Sequence, residues 1–301
     1  MTTPIAEFLT GIPDKPIQWI HKPWTTRYQA DPFGVIKDGC LYIFFEKLAH
    51  HTLNGEIAVV KVNPDGSVSD PQTVLSLPIH ISYPYMFEDD GMIYCIPETN
   101  AAREINLYQI ENFPASWTYV TTLISEITAV DSTLIQYNGR WWLFCSVQED
   151  GSTNMLHLSS RLSLWYADKL TGPWLPHAGN PVKVDIHSSR PAGTPFLHEG
   201  ILYRPAQDCA PYYGCRTVIM RINELSPTSF AEEPVAYIDP DSNGPYPDGL
   251  HTVSAVGNYT LIDGYRFIAP IGLYPFVMKV WRGIVNRITH RSNPHHKLEL
   301  I

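Results

Sequence analysis

A chain of 301 residues has room for two ordinary domains or for one large β domain. Only 17% of its residues are charged, against about 25% in ordinary domains, and its 26 prolines outnumber its 19 glycines; long solvent-facing helices cannot be built from that, so mostly strands are expected. A formal net charge of −9 excludes general affinity for nucleic acid, and no apolar run reaches the roughly 18 residues that span a bilayer.

The N-terminus, Met1-Thr2-Thr3-Pro4-Ile5-Ala6-Glu7-Phe8, lacks a basic start followed by an apolar stretch, so a cytoplasmic location is expected. Five cysteines with no C-x-x-C pair argue against a disulfide framework or a zinc knuckle.

From residue 31 onward one pattern recurs: a polar or small residue, an apolar stretch, a glycine about eight positions later, then an aromatic three residues further on. Asp31-Pro32-Phe33 leads to Gly39 and Tyr42, Tyr83-Pro84-Tyr85 to Gly91 and Tyr94, and Asp131-Ser132-Thr133 to Gly139 and Trp142. Ala192-Gly193-Thr194 leads to Gly200 and Tyr203, and a weaker copy, Gly249-Leu250-His251, leads to Gly257 with Thr260 in the aromatic's place. The glycines are separated by 52, 48, 61 and 57 residues. Each sits in a tight turn such as Lys37-Asp38-Gly39, a hairpin signal between two apolar strands.

Further strands follow, as in Glu56–Val62 and Ile105–Ile110. A unit of about 50 residues with four short strands is the sequence form of a propeller blade. The expected fold is therefore all-β: a five-bladed β-propeller of four-stranded antiparallel blades over residues 1–277, with blades beginning near 30, 82, 130, 190 and 248. The alternative is a long β-sandwich, which would not need a turn glycine at this recurrence.

In a propeller the first residues of each inner strand and the last residues of the strand paired with it meet at one mouth of the central channel. Counting along the repeats puts Asp31, Tyr83, Asp131, Ala192 and His251 at strand starts, and Glu46, Glu98, Ser146 and Gln207 at strand ends. Carboxylates from different blades, Asp31, Asp131, Glu46 and Glu98, thus converge where like charges repel. Such a cluster is what acid/base work on a glycosidic bond requires, one carboxyl ionised and another held protonated. The alternative for each is a turn cap or an arginine pair.

Ala30-Asp31-Pro32-Phe33-Gly34-Val35-Ile36, through Tyr42-Ile43-Phe44, resembles the opening of the five-bladed propeller glycosidases of family 43, and Val130-Asp131-Ser132-Thr133-Leu134 resembles their third-blade motif. That resemblance implies Asp31 as general base and Asp131 as the residue that orients the acid and tunes it. Ser82–Tyr85, Ile96–Thr99, Phe113–Trp117, Arg190–Gly193, Arg204–Cys209 and Gly249–Thr252 resemble more closely the propeller domain at the N-terminus of plant glucosamine inositolphosphorylceramide transferases and its stand-alone bacterial relatives.

The family 43 general acid, a Glu opening the fourth blade, is replaced by Ser189-Arg190-Pro191-Ala192-Gly193. Glu98 or Asp208 then acts as acid from an adjacent strand end, or the reaction needs none, or the protein only binds. Arg190 in that place would either grip an anionic group or pair with a rim carboxylate. His251 and His80 fall near the mouth and are expected as hydrogen-bonded channel residues rather than metal ligands, so no metal or cofactor is called for. Trp24, Tyr83, Tyr85 and Tyr212 are candidates to stack on sugars, whereas Tyr42, Tyr94, Trp142 and Tyr203 are expected to pack between blades.

Residues 279–297 hold Lys279, Arg282, Arg287, Arg291 and Lys297 and no acid, with Trp281, Ile284, Val285 and Ile288 at helical spacing. A short helical tail over 278–301 is expected, docked on the propeller or touching an anionic membrane.

The expected function is glycan processing of the inverting glycoside hydrolase type, with Asp31, Asp131 and Glu98 catalytic and Glu46, Tyr83, Arg190, Arg204, Gln207, Asp208 and His251 binding a carbohydrate. Glycosyl transfer or phosphorolysis is the alternative, with Arg190, Arg204 and Arg216 forming a basic pocket; a carbohydrate-binding propeller without catalysis is the third reading.

Overall fold

A computed structural model describes residues 2–267, apart from 21–25, 50–53, 150, 151, 153 and 155. The basic tail and Trp24 lie outside the described residues. Residues Met1–Tyr265 form one compact unit, and the boundary expected at 277 also lies outside the described residues. Among these residues no helix is long and apolar enough to cross a membrane.

The repeats fold as antiparallel meanders. The first comprises β1 (Thr26–Lys37), β2 (Cys40–Ala49), β3 (Glu56–Val62) and β4 (Gln72–Leu75), and the second β5 (Ser82–Asp89), β6 (Met92–Glu98), β7 (Glu104–Asn112) and β8 (Ser116–Ser125). The third holds β9 (Ala129–Tyr137), β10 (Arg140–Val147) and β11 (Arg161–Ala167), on which both β12 (Leu175–Pro176) and β13 (Lys183–Val184) pair. The fourth is β14 (Phe196–His198), β15 (Ile201–Asp208), β16 (Arg216–Leu225) and β17 (Phe230–Ile238).

The fifth repeat departs from expectation. It forms a two-stranded hairpin, β18 (Val253–Val256) with β19 (Tyr259–Ile262), so four full blades, not five, stand among the described residues. The chain's own N-terminal segment flanks that hairpin. Ile5 and Phe8 bury against Leu250 and Val253, Ile20 packs beside Leu261, and the Thr260 hydroxyl donates to the Thr3 carbonyl at 2.6 Å. Apolar cover from elsewhere in the chain thus takes the place of outer strands.

Apolar layers between neighbouring sheets close the ring. One cluster runs through the first three repeats, Trp142 and Phe144 meet Leu202 and Ile222 of the fourth, and Leu261 of the fifth packs on Leu41, Ile43 and Phe45 of the first. Aromatics serve this packing, as Tyr42 of the first repeat, edge-on to Phe113 of the second, shows.

The marker glycines do what their spacing implied. At Asp38-Gly39, Asp90-Gly91, Asn138-Gly139 and Glu199-Gly200 both turn residues have positive φ, as a two-residue type I′ hairpin demands.

A second recurrence was not visible in the pattern. Register shifts between Ala30 and Phe33, between Ser82 and Tyr85, and opposite Phe144/Ser146 set Asp31-Pro32, Tyr83-Pro84 and Asp131-Ser132 each against a single partner residue. These are β-bulges, and their first residues, Asp31, Tyr83 and Asp131, have φ of 54°, 43° and 53°. The same register pairs Ala30 with Glu46 and Ser82 with Glu98. Strand-end carboxylates are thereby set beside the bulges.

Candidate functional site

The inner strand ends surround a cavity of about 430 Å³. Asp31, Glu46, Glu98 and Asp131 all line it, with Arg190, His80 and His251. Asp263, Tyr213, Tyr28 and Gln29 line it as well and were not singled out from sequence.

Three groups of contacts organise the cavity. In the first, the Thr252 hydroxyl donates to Asp31 Oδ1 at 2.9 Å and His251 Nε2 lies 3.8 Å from the same oxygen. Asp263 Oδ1 accepts the amides of His251 and Thr252, each at 3.0 Å, and its Oδ2 accepts the Asp31 amide at 3.2 Å. His251 Nδ1 is 2.6 Å from Asp263 Oδ2. Burial would lower the imidazole's pKa, but Asp263 together with the charges of Asp31 and Asp131 outweighs it and lifts His251 to about 9. Burial raises Asp31 to about 7; the His251 charge pulls it down, while Glu46, Asp131 and Asp263 push it up.

Among the described residues Asp31, His251 and Asp263 are the trio with ligand atoms close enough to share one ion. Their ligand atoms face one another and their neighbours: Asp263 Oδ2 the Asp31 amide and His251 Nδ1, and Asp31 Oδ1 the Thr252 hydroxyl.

The second group joins the second, third and fourth repeats. Asp131 Oδ2 accepts from Arg190 Nε at 2.5 Å and from Gln207 Nε2 at 2.9 Å, and its Oδ1 accepts from Arg190 Nη2 at 3.3 Å. The guanidinium also lies over the Tyr213 ring, 4.9 Å from its centre. Glu98 Oε2 accepts the Asp131 amide at 3.4 Å. Burial, reinforced by the Asp131 charge, raises Glu98 well above the usual carboxylate range, with Arg190 opposing it.

The third group centres on Glu46. Its Oε1 accepts the Tyr28 hydroxyl at 2.7 Å and faces His80 Nε2 at 3.1 Å. His80 Nδ1 accepts the Gly55 amide at 2.9 Å, so the ring proton is placed on Nε2, toward Glu46. A side chain at position 55 would come within 2.6 Å of Glu46 Oε1, which accounts for glycine there.

Other sequence candidates stand elsewhere. Tyr83 is fully buried and does not line the cavity; its hydroxyl accepts the Gly193 amide at 2.6 Å and its ring packs on Phe33. Tyr85 donates to the Leu134 carbonyl within the core. Arg204 is 1% exposed and spends its guanidinium on Glu232, at 2.6 and 2.7 Å, and on the Ser188 and Ser189 carbonyls. Asp208 and Arg216 pair at 3.0 Å and line a separate cavity of about 200 Å³ with His187 and Lys183. The basic pocket expected from Arg190, Arg204 and Arg216 does not assemble, because each faces its own carboxylate. Gln207 acts through Asp131. All five cysteines are free thiols.

Asp263 had a faint signal. The count that finds Glu46 and Glu98, carried into the fifth repeat, lands on Gly264, one residue away.

The family model described as "Glucosamine inositolphosphorylceramide transferase 1, N-terminal" matches residues 18–244. Glucosamine inositolphosphorylceramide transferase 1 of Oryza sativa subsp. japonica and that of Arabidopsis thaliana are each 34% identical to the chain over 215 residues, covering 70% of it. The chain spans 28% of the length of these relatives. Among solved structures, the family 117 glycoside hydrolase Zg3597 of Zobellia galactanivorans superposes with a TM-score of 0.54 at 13% identity, over 72% of this chain and 71% of that one. The GH43_1 enzyme of Xanthomonas citri does so with a TM-score of 0.53 at 14% identity, over 75% and 78%. These likenesses establish a shared propeller fold.

Proposed function

The chain belongs to the family of glucosamine inositolphosphorylceramide transferase 1 N-terminal domains, and from that premise we propose that its central cavity processes a glycosidic bond. The observation that carries this reading is the convergence of Asp31 and Glu98, from different repeats, on one cavity, where burial pushes Asp31 up to about 7 and Glu98 well above the usual carboxylate range. A base poised near the working pH and an acid that keeps its proton are the two requirements of glycoside cleavage.

In the proposed reaction Asp31 takes a proton from the water that attacks the anomeric carbon. Glu98 gives its proton to the departing glycosidic oxygen as the C–O bond breaks. Asp131, pinned by Arg190 and Gln207, adds its negative charge to the burial that raises the Glu98 carboxyl. Inversion then requires the two acting carboxyls about 6.5–9.5 Å apart. Glu46, fixed by Tyr28 and His80, is a hydrogen-bond acceptor for a sugar hydroxyl. Transfer to a sugar hydroxyl in place of water uses the same pair, and the relatives' description as transferases favours it as the second reading.

Substrates with different leaving groups test the acid. Glu98→Gln should lose at least about tenfold on unactivated glycosides yet keep its rate on aryl glycosides whose leaving group needs no protonation. Equal losses on both would remove Glu98 from that role.

A further inference from the structure

We propose that Asp263 is a positioning residue that fixes Asp31 and His251 against each other, so that a ring N–H of His251 faces the Asp31 carboxyl. The proposal rests on the reading of Asp31 as the base, and names what orients it.

Asp31 has a backbone φ of 54°, in the left-handed region, where its surroundings hold it. The Asp31 amide lies in a bulge, where it has no ladder partner, and it is instead taken by Asp263 Oδ2. That contact joins residues 232 apart, across the junction of the first and fifth repeats.

The same carboxylate orders the other side of Asp31. Its Oδ1 holds the amides of His251 and Thr252, and this places the Thr252 hydroxyl on Asp31 Oδ1. Its Oδ2 stands 2.6 Å from His251 Nδ1, and Nε2 of the same ring lies 3.8 Å from that Asp31 oxygen. One buried side chain thus sets the backbone, the hydroxyl donor and the imidazole around the reacting carboxyl. Burial would raise the Asp263 carboxyl, but the His251 charge and the hydrogen bonds to Oδ1 and Oδ2 hold it below its ordinary range, so it stays ionised. The remaining groups whose charge reaches Asp31 are Glu46, His80, Tyr83, Glu98, Asp131 and Tyr213. His251 is the strongest of the charges acting on Asp31, and it draws the carboxyl downward. Loss of Asp263 removes its own smaller upward push and, through His251, the larger downward pull, so the net movement of Asp31 is upward.

The test uses the full chain, with 15N-labelled histidine and carboxyl-13C aspartate, titrated by NMR. In the wild type His251 should remain an imidazolium through pH 8. Asp263→Asn keeps an oxygen for the two amides but removes the charge. His251 should then titrate at or below about 6.5, and Asp31 should move up by roughly half a unit or more. His251→Gln leaves every amide contact to Asp263 in place and should raise Asp31 alike, so it decides the matter if Asp263→Asn does not fold. An Asp31 titration unchanged in a folded variant, or a wild-type His251 titrating near 6.5, overturns the proposal. If Asp31 shifts as expected but no glycan is ever turned over, the positioning role stands and the assignment of Asp31 as base falls.

Discussion

Arg190 Nε lies 2.5 Å from Asp131 Oδ2, with Nη2 3.3 Å from the other oxygen, and the two residues are 59 apart in sequence. Asp131 is buried and Arg190 mostly so, and the fork that would have gripped an anionic group is already occupied by a carboxylate. Removing the cation leaves an uncompensated buried charge, and such losses cost about 3–5 kcal/mol. Arg190→Ala should lower unfolding stability by that order in urea titrations. Arg190→Lys, which keeps a charge but not the fork, should lose clearly less. Equal losses would mean that the guanidinium contributes packing alone.

Gly193 begins the fourth repeat at φ 130°, and a Cβ there would meet the Val253 carbonyl oxygen at 1.9 Å. The neighbour is backbone and cannot swing away. Gly193→Ala should abolish soluble folded protein or cost more than about 3 kcal/mol. Gly66 provides the control: its φ is 84° but a Cβ there meets open space, so Gly66→Ala should cost only about 1–2 kcal/mol. Comparable melting temperatures for the two variants would contradict the close approach of the fourth and fifth repeats.

Stability should fall as pH rises. His251 has its folded pKa raised to about 9 from 6.5, so its contribution is complete below 6.5 and is lost as pH climbs through 9. Asp31, raised to about 7 from 3.8, acts in the same sense between those values, and Glu98 does likewise. Asp263 has the opposite sign, since its depressed carboxyl loses its contribution only in acid below 3.8. Melting temperatures should therefore decline from about pH 6 to pH 9. Asp31→Asn should flatten the lower part of that decline and His251→Gln the upper part. A melting temperature that rises across this range would contradict the assigned charge states.

Local pattern was enough for the turns and for the carboxylates at the cavity, because a hairpin glycine and a strand's length are properties of neighbouring residues. It was not enough for the pairings. Arg190 looked equally suited to an anion or to a rim acid, and only Asp131, brought from another blade, decides between them. Tyr83 shares the repeat position of Asp31, yet its ring turns into the core because Phe33 and the Gly193 amide are there to receive it. Arg204 follows the same logic with Glu232. Among the described residues the fifth repeat holds two strands, and the apolar cover that residues 5–20 lay on it is a contact from the far end of the chain that periodicity cannot register.

Whether Asp31 acts on a glycosidic bond is decided by turnover of a broad oligosaccharide panel by the wild type and Asp31→Asn. The account predicts sugar release or transfer by the wild type, with a rate that rises with pH toward about 7 as Asp31 ionises. It predicts a loss of at least about a hundredfold in the variant, with ligand affinity retained. Glycan binding that Asp31→Asn leaves unchanged, together with no turnover of any panel member by the wild type, would contradict it and leave a propeller that only binds.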